Sequence, residues 1–480
     1  MRRPSIEQLA APWDRIARTI AVELAARGHR GWIVGGAVRD LALGIPPLDV
    51  DMASAARPEE IEALFEHTTA VGRAFGTLVV HLEGRDVQLT TFRSEAGYSD
   101  ARRPDEVRYG ASVEEDAARR DFTCNALYLD PLDDTLLDPC GGLADLEQRR
   151  LRCVGDPALR FREDGLRLVR MARLAAALGL EVDPETLEAA RESADALSGV
   201  SPERLLAELQ RIFEKRGAAR ALRLLWETGL LARVLPRQPS LHPPGPPSLG
   251  SPSPGPPGPP GPSGSGDAEA ETLRLRALEA LEALGGPVGL DAGASVLFDP
   301  SPFDPLAQPG DFDAAREGLE RLRPTRATRR AVVELWRLER DIEALFRLAI
   351  APRSTRVRIV RDPHWREAAR LVRAWRAARG SDVELLEELE AFAASLPEDA
   401  RHPQPLIAPG DLAQRAVPRG PRWSALLEAA ETLQLDGRLV SREQALAWLD
   451  ERLHDEAAAH RHEAHRHEGG NTSRKTNDKG

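Results

Sequence analysis

Between Gly31 and Met52 the chain reads GWIVGGAVRDLALGIPPLDVDM, and this stretch leaves few folds open. Trp32-Ile33-Val34 is a short apolar run that reads as a strand ending on two glycines. Lacking Cβ atoms, Gly35 and Gly36 are free to take positive φ and let backbone N–H groups approach an anion. Ala37 to Leu43 then reads as a short helix whose N-terminus adds partial positive charge at the same spot, with Arg39 offering a forked donor suited to phosphate oxygens. After Gly44 and Pro46-Pro47 the chain re-extends from Leu48 to Met52, where Asp49 and Asp51 flank Val50. Period-two geometry puts both carboxylates on one face, opposite Val50. Two hard oxygen donors beside a phosphate cradle suit divalent-cation chemistry of phosphoryl or nucleotidyl transfer.

Taken singly, a double glycine after a strand marks a turn and a D-x-D marks a solvated strand end. Coupled in one strand–turn–helix–strand unit, GGAVRD followed by LDVDM resembles the first motif of the class II tRNA nucleotidyltransferase/poly(A) polymerase family, within the polymerase-β-like superfamily. Neighbouring segments extend the unit. Ile6–Arg27 has helix-spaced apolar residues, Arg57–Phe65 reads as a helix with proline and acids in its first turn, and Thr77–Leu82 and Val87–Phe92 read as strands. The expectation is an α+β head, a mixed sheet with helices on one side, over residues 1–150. Asp86 and Gln88 share a face of the second of those strands. The family commonly has an acid where this chain has Gln88, so no third carboxylate is assigned. Arg93–Gly110 lacks periodicity and is expected to be a mobile loop.

Residues 119–126, RRDFTCNA, match every specified position of the family's second motif. The resemblance implies that Arg120 reaches the bound nucleotide while Asp121 and Asn125 hold the local backbone; without it, the segment reads as a capped amphipathic helix with Phe122 and Leu127 in the core. Asp138–Leu146 resembles a family turn joining head to neck. From Glu163 to Leu178 the apolar spacing predicts one helix, with Asp164 and Arg167 three apart on one face and Arg170 and Arg173 following along a stripe. A surface salt bridge explains such a pair by itself. The EDxxRxxRxxR pattern, however, resembles the nucleobase-reading helix of CCA-adding enzymes. A carboxylate accepts from the exocyclic amine of cytosine or adenine and a guanidinium donates to ring acceptors, which rejects uracil and guanine. Poly(A) polymerases of the family tend to carry Arg-Asp where this chain has Glu163-Asp164.

The resemblance therefore implies a template-independent nucleotidyltransferase building the 3′-CCA of tRNA from CTP and ATP. Asp49 and Asp51 would hold two Mg²⁺ ions, Gly36, Arg39 and Arg120 the nucleotide, Asp164 and Arg167 its base, and Arg170 and Arg173 phosphates or base. A poly(A) polymerase or the A-adding half of a split system would share these residues. A catalytically inactive RNA-binding protein is the reading from another class, and the intact motifs speak against it.

The remaining chain is expected to be helical: a neck over 151–235, a body over 267–400 and a tail over 401–456. The body is dense in arginine from Arg321 to Arg379, interleaved with Trp336, Trp365 and Trp375. It reads either as ordinary amphipathic helices with core tryptophans or as a surface for the tRNA backbone. Residues 236–266 collapse to Pro, Gly and Ser and predict a semi-extended, disordered insertion. Residues 457–480, with a His-rich run, predict a disordered end. A net charge of −11 over 480 residues argues against binding nucleic acid through bulk charge alone. With 42% hydrophobic content, no membrane-length apolar run and no secretory segment, a cytoplasmic protein is expected. Cys124, Cys140 and Cys153 have no metal-ligand spacing and read as reduced, incidental thiols.

Overall fold

The computed structural model describes residues 3–72, 76–96, 106–110, 112–234, 264–285, 287–298, 311–348 and 351–455. These fall into two compact units, residues 1–333 and 334–480.

The first unit opens with helix α1 (Trp13–Ala25), strand β1 (Gly31–Val34), helix α2 (Gly36–Leu43), strand β2 (Asp51–Ser54) and helix α3 (Pro58–Leu64). Strands β3 (Thr68–Gly72), β4 (Thr77–Leu82) and β5 (Arg85–Thr91) follow, then β6 (Arg93–Ala96) and β7 (Glu106–Tyr109). Helix α4 (Val113–Ala118), strands β8 (Tyr128–Leu129) and β9 (Leu136–Leu137) and helix α5 (Gly142–Glu147) complete the head. Its sheet is mixed, in the order β3-β4-β5-β2-β1-β8-β9, with β2 and β5 parallel.

Register decides what each face carries. Ile33, Met52, Val87, Leu89, Leu78 and Val80 fall on one side and are essentially buried. Helix α1 covers that side closely enough that a Cβ on Gly31 would lie 2.9 Å from a Leu24 methyl. The opposite side places Trp32, Val34, Ala53 and Tyr128 in a second core with Phe92, Ala117 and Ala126. Toward β5 this side opens, and Asp51 and Gln88 are exposed.

Several expectations are corrected here. The strand expected over Leu48–Met52 begins at Asp51, because its partner β1 ends at Val34, opposite Asp51, leaving Asp49 no ladder to join. The loop expected over Arg93–Gly110 is partly regular: β6 and β7 pair antiparallel from Arg93↔Tyr109 to Ala96↔Glu106, and residues 97–105 lie outside the described residues. The second motif is no amphipathic helix. Thr123–Asn125 makes one 3-10 turn, and Tyr128–Leu129 continues as a strand beside β1.

Beyond the head, β10 (Arg150–Leu151), α6 (Pro157–Glu163), α7 (Leu166–Leu178), β11 (Glu181–Val182), α8 (Pro184–Glu192), α9 (Pro202–Phe213) and α10 (Ala218–Glu227) form the neck. The Pro/Gly/Ser stretch, residues 235–263, lies outside the described residues, as does the His-rich end; a helix begins at Gly264, inside the 236–266 boundary. In the second unit Trp336, Trp365 and Trp375 are buried, as the core reading of the tryptophans expects. Several of its arginines face carboxylates, Arg376 on Glu343 and Arg361 on Glu431, each at 2.8 Å. Its end is a separate apolar cluster built on Ile407, Leu412, Val417, Leu426 and Leu449.

Candidate active site

Gly35 sits between β1 and α2 with φ of 68°, a left-handed conformation open to glycine at little cost. Gly36, expected to share it, is instead the first helical residue, and the Arg39 guanidinium lies 3.5 Å from where its Cβ would be. Arg39 itself is engaged: its Nη1 donates to Asn125 Oδ1 at 2.7 Å and its Nε to Asp40 at 2.9 Å.

Asp49 and Asp51 emerge next to this turn, both exposed on either side of Val50, which is 1% exposed. Among the described residues neither carboxylate pairs with a cationic side chain, and no group of three or more His, Cys, Asp or Glu gathers there. Solvent reaches Asp51, yet enough protein surrounds it to hydrate its charge poorly. That burial, and then the Asp49 charge, push its carboxyl up to about 6, against the pull of Arg120. A carboxylate pair so short of counter-charge fits a divalent cation. Gln88, on the strand parallel to β2, is one step in register before the Met52↔Leu89 pair and so lies beside Asp51, where an acid would have completed a triad.

The second motif is organised by its own side chains. Asp121 accepts from the Phe122 N–H at 2.8 Å, from Asn125 Nδ2 at 3.0 Å, and from Arg170 through Nε at 2.9 Å and Nη2 at 2.6 Å. Burial alone would raise its carboxyl, but the Arg170 charge and the Asn125 hydrogen bond hold it far below the usual carboxylate range. Arg120 donates through Nε to Tyr128 Oη at 2.9 Å and to Asp116, and through Nη1 to the Asn125 carbonyl at 3.1 Å. Asp116 is the residue that sequence reasoning missed. It lies three and four positions before Arg119 and Arg120, the spacing at which helical side chains meet, and that spacing was the available signal.

The expected helix Glu163–Leu178 is broken. Asp164 is extended, φ −150° and ψ 104°, between α6 and α7, so it does not share a helix face with Arg167. Gly165 after it is helical, φ −59° and ψ −22°, and lets the Ala196 backbone pack close: a Cβ there would lie 2.2 Å from the Ala196 carbonyl oxygen. Nor do Asp164 and Arg167 form the surface salt bridge. Asp164 accepts from Arg204 on α9 at 2.8 Å. Arg167 donates to Glu163 at 2.7 Å, to the Arg160 carbonyl at 3.0 Å and to the Arg119 carbonyl at 3.0 Å. Arg170 and Arg173, the other stripe members, are committed to carboxylates: Arg170 to Asp121, and Arg173 to Glu208 at 2.7 Å, where Glu208 is 1% exposed. The Asp121 charge raises the Arg170 pKa, whereas burial lowers that of Arg173. Arg170 thus ties the neck to the head, while Arg173 ties α7 to α9 within the neck. Cys124 and Cys153 are buried, which pushes each thiol up to about 12, as inert thiols require.

With topology and motifs in view, the class is clear: the head has the polymerase-β-like nucleotidyltransferase fold, carried on a helical neck. Residues 31–152 match the model of the poly A polymerase head domain, and residues 179–241 that described as "Probable RNA and SrmB- binding site of polymerase A". Over this first half the chain is similar to the class II tRNA nucleotidyltransferase/poly(A) polymerase family. It is 44% identical over 213 residues to a CCA-adding enzyme of Geobacillus stearothermophilus, covering 44% of this chain and 52% of that one. To the Bacillus subtilis CCA-adding enzyme it is 42% identical over 207 residues, 43% of this chain and 52% of that one. The match thus spans about half the length of these curated relatives. The crystal structure of the Bacillus stearothermophilus CCA-adding enzyme in complex with CTP superposes with a TM-score of 0.67 at 28% identity, covering 94% of this chain and 100% of that one. The Thermotoga maritima CCA-adding enzyme complexed with tRNA, 19% identical with a TM-score of 0.61, covers 93% and 97% and shares the fold.

Proposed function

We propose that the chain adds or repairs the 3′-terminal CCA of tRNA, using CTP and ATP without a nucleic-acid template. One observation carries this reading. The candidate base reader Arg167 is hydrogen-bonded onto the Arg119 carbonyl, the residue next to Arg120, so the base reader and the second motif's nucleotide donor are held as one body. The named relatives, CCA-adding enzymes, support it. Glu163 favours CCA over poly(A) addition in particular: it is 7% exposed and bridges Arg160 and Arg167, an arrangement that an arginine at its position would repel.

In this reading Asp49 and Asp51 hold Mg²⁺. Bound there, the cation supplies acidification of the RNA 3′-hydroxyl and neutralisation of the triphosphate. The chain does the rest. Gly35, Gly36 and the N-terminus of α2 receive phosphate oxygens, with Arg39 as donor, and Arg120 reaches the nucleotide. Asp164, with one oxygen held by Arg204, accepts from the exocyclic amine of cytosine or adenine, while Arg167 donates to the ring acceptors. Arg170 and Arg173 position the neck. The organisation is a head over 1–150, a helical neck to 235, a body and a tail, acting in the cytoplasm on tRNA.

The test is extension of tRNA ending before CCA, of tRNA ending in CC, and of unstructured RNA, each with CTP and ATP. Addition of C, C and A followed by arrest is expected; neglect of CTP with long A tracts on unstructured RNA makes the protein a poly(A) polymerase. Asp49→Ala or Asp51→Ala should lower the rate about a hundredfold or more with the fold intact. Asp164→Ala should raise UTP use relative to CTP on the order of tenfold to a hundredfold; unchanged selectivity would return Asp164 to a purely structural role.

A further inference from the structure

Asp116 is 0% exposed, at the last turn of α4 before the second motif, and no part of the reading above uses it. Its Oδ1 accepts from Arg119 Nε at 2.9 Å. Its Oδ2 accepts from Arg120 Nε at 3.2 Å and Nη2 at 3.1 Å, and from the Tyr128 hydroxyl at 2.8 Å. Tyr128 is also fully buried, packed edge-on to Phe92 with its ring 5.0 Å from the Arg120 guanidinium carbon. A carboxylate is tolerated at such depth only when its oxygens are met by donors such as these.

The consequence lies in Arg120. Of its five N–H donors, Nε is shared by Asp116 and Tyr128, one on Nη2 goes to Asp116 and one on Nη1 to the Asn125 carbonyl. One N–H on each terminal nitrogen has no acceptor among the described residues. Nη1 lies 3.2 Å from where a Cβ of Gly35 would be, so a side chain at Gly35 would crowd it. The open edge of the fork therefore adjoins the glycine turn, near enough to Asp51 to pull on its charge.

We propose that Asp116 and the Tyr128 hydroxyl form a positioning clamp that fixes Arg120 with its open edge toward the triphosphate, so that Arg120 binds phosphate rather than base. This rests on the nucleotidyltransferase reading and specifies which part of the nucleotide Arg120 takes. Held from behind by a buried anion, the guanidinium loses little rotamer freedom when phosphate arrives. The clamp treats CTP, ATP and a triphosphate without a base alike.

The experiment measures binding of CTP, ATP and inorganic tripolyphosphate to the full chain, with steady-state KM and kcat alongside. Tyr128→Phe keeps the ring and removes one hydroxyl; Asp116→Asn keeps the shape and removes the charge. Weakening by one common factor for all three ligands is expected, about three- to tenfold for Tyr128→Phe and about tenfold or more for Asp116→Asn, with KM moving more than kcat. In the Arg120→Ala background the Tyr128→Phe effect should vanish. Unchanged affinity for all three ligands in a folded Tyr128→Phe protein overturns the proposal, whether or not Asp116→Asn folds. Weakening confined to one base also overturns it. Arg120→Ala separates the two layers: if it leaves triphosphate binding intact, the assignment of Arg120 to the nucleotide fails; if it weakens binding while Tyr128→Phe is silent, only the clamp fails.

Discussion

Asp51 enters the fold with a carboxyl pushed from 3.8 to about 6, so the native state binds that proton more tightly than the unfolded chain. The sign follows: between about pH 4 and 6 this residue's contribution to stability falls as pH rises, and above 6 the destabilisation is fully present. Because solvent reaches the group, the cost is discounted to on the order of 1 kcal/mol. Asp51→Asn should therefore raise the melting temperature of the metal-free protein by a few degrees at pH 7. The gain should disappear below about pH 4, and Mg²⁺ should no longer stabilise the variant. A lower melting temperature at pH 7 would show that the Asp51 charge is satisfied by the protein itself. The two acids were legible from their alternation with Val50. Asp116 was not picked out, because its worth depends on Tyr128, twelve residues later and on a strand of the sheet.

The break between α6 and α7 shows how one element is overruled by another. Apolar spacing through Leu166, Val169 and Leu174 predicts a helix and finds one, but periodicity carries no information about the Ala196 carbonyl approaching from a distant turn. Gly165→Ala should cost about 2–4 kcal/mol, read as a shift of the urea midpoint, because its Cβ would press on backbone that has no freedom to retreat. By displacing Asp164 it should also relax CTP-over-UTP selection. A destabilisation under about 1 kcal/mol would mean the turn around Ala196 yields. The strand expected around Asp49 and Asp51 shows the same logic: Leu48–Met52 has the pattern, but a ladder needs a partner, and β1 has already ended.

At the scale of the first unit, polar side chains run in series from α2 to α9: Arg39 to Asn125, Asn125 to Asp121, Asp121 to Arg170, and Glu208 receiving Arg173 and Arg211. Asp121 dominates its pH dependence. Its native carboxyl is far below the unfolded value, so its contribution is present above about pH 4 and is lost as pH falls through the native value. On the order of 2–4 kcal/mol rides on this one group. Melting followed from pH 7 down to pH 2 should show a steep acid loss, and Asp121→Asn should start lower and lose less. Parallel curves for the two proteins would place the acid sensitivity elsewhere.

Local chemistry is written in the sequence. The Gly35 turn, the paired acids, the RRDFT motif and the helix start at Arg57 depend on neighbours within a few residues, and sequence order preserves them. The mixed α+β head, the helical remainder and the likeness to the family follow from the same signals. Tertiary structure decided whatever needs a partner far along the chain: where β2 begins, which face of the sheet opens at Gln88, and that β6 and β7 pair within an expected loop. It also decided that Asp164 answers to Arg204, not Arg167, and that Arg170 ties neck to head while Arg173 ties α7 to α9. A charged residue advertises its type in sequence, but its job is fixed by whichever opposite charge is buried beside it, because an unpaired buried ion costs more than almost any local preference.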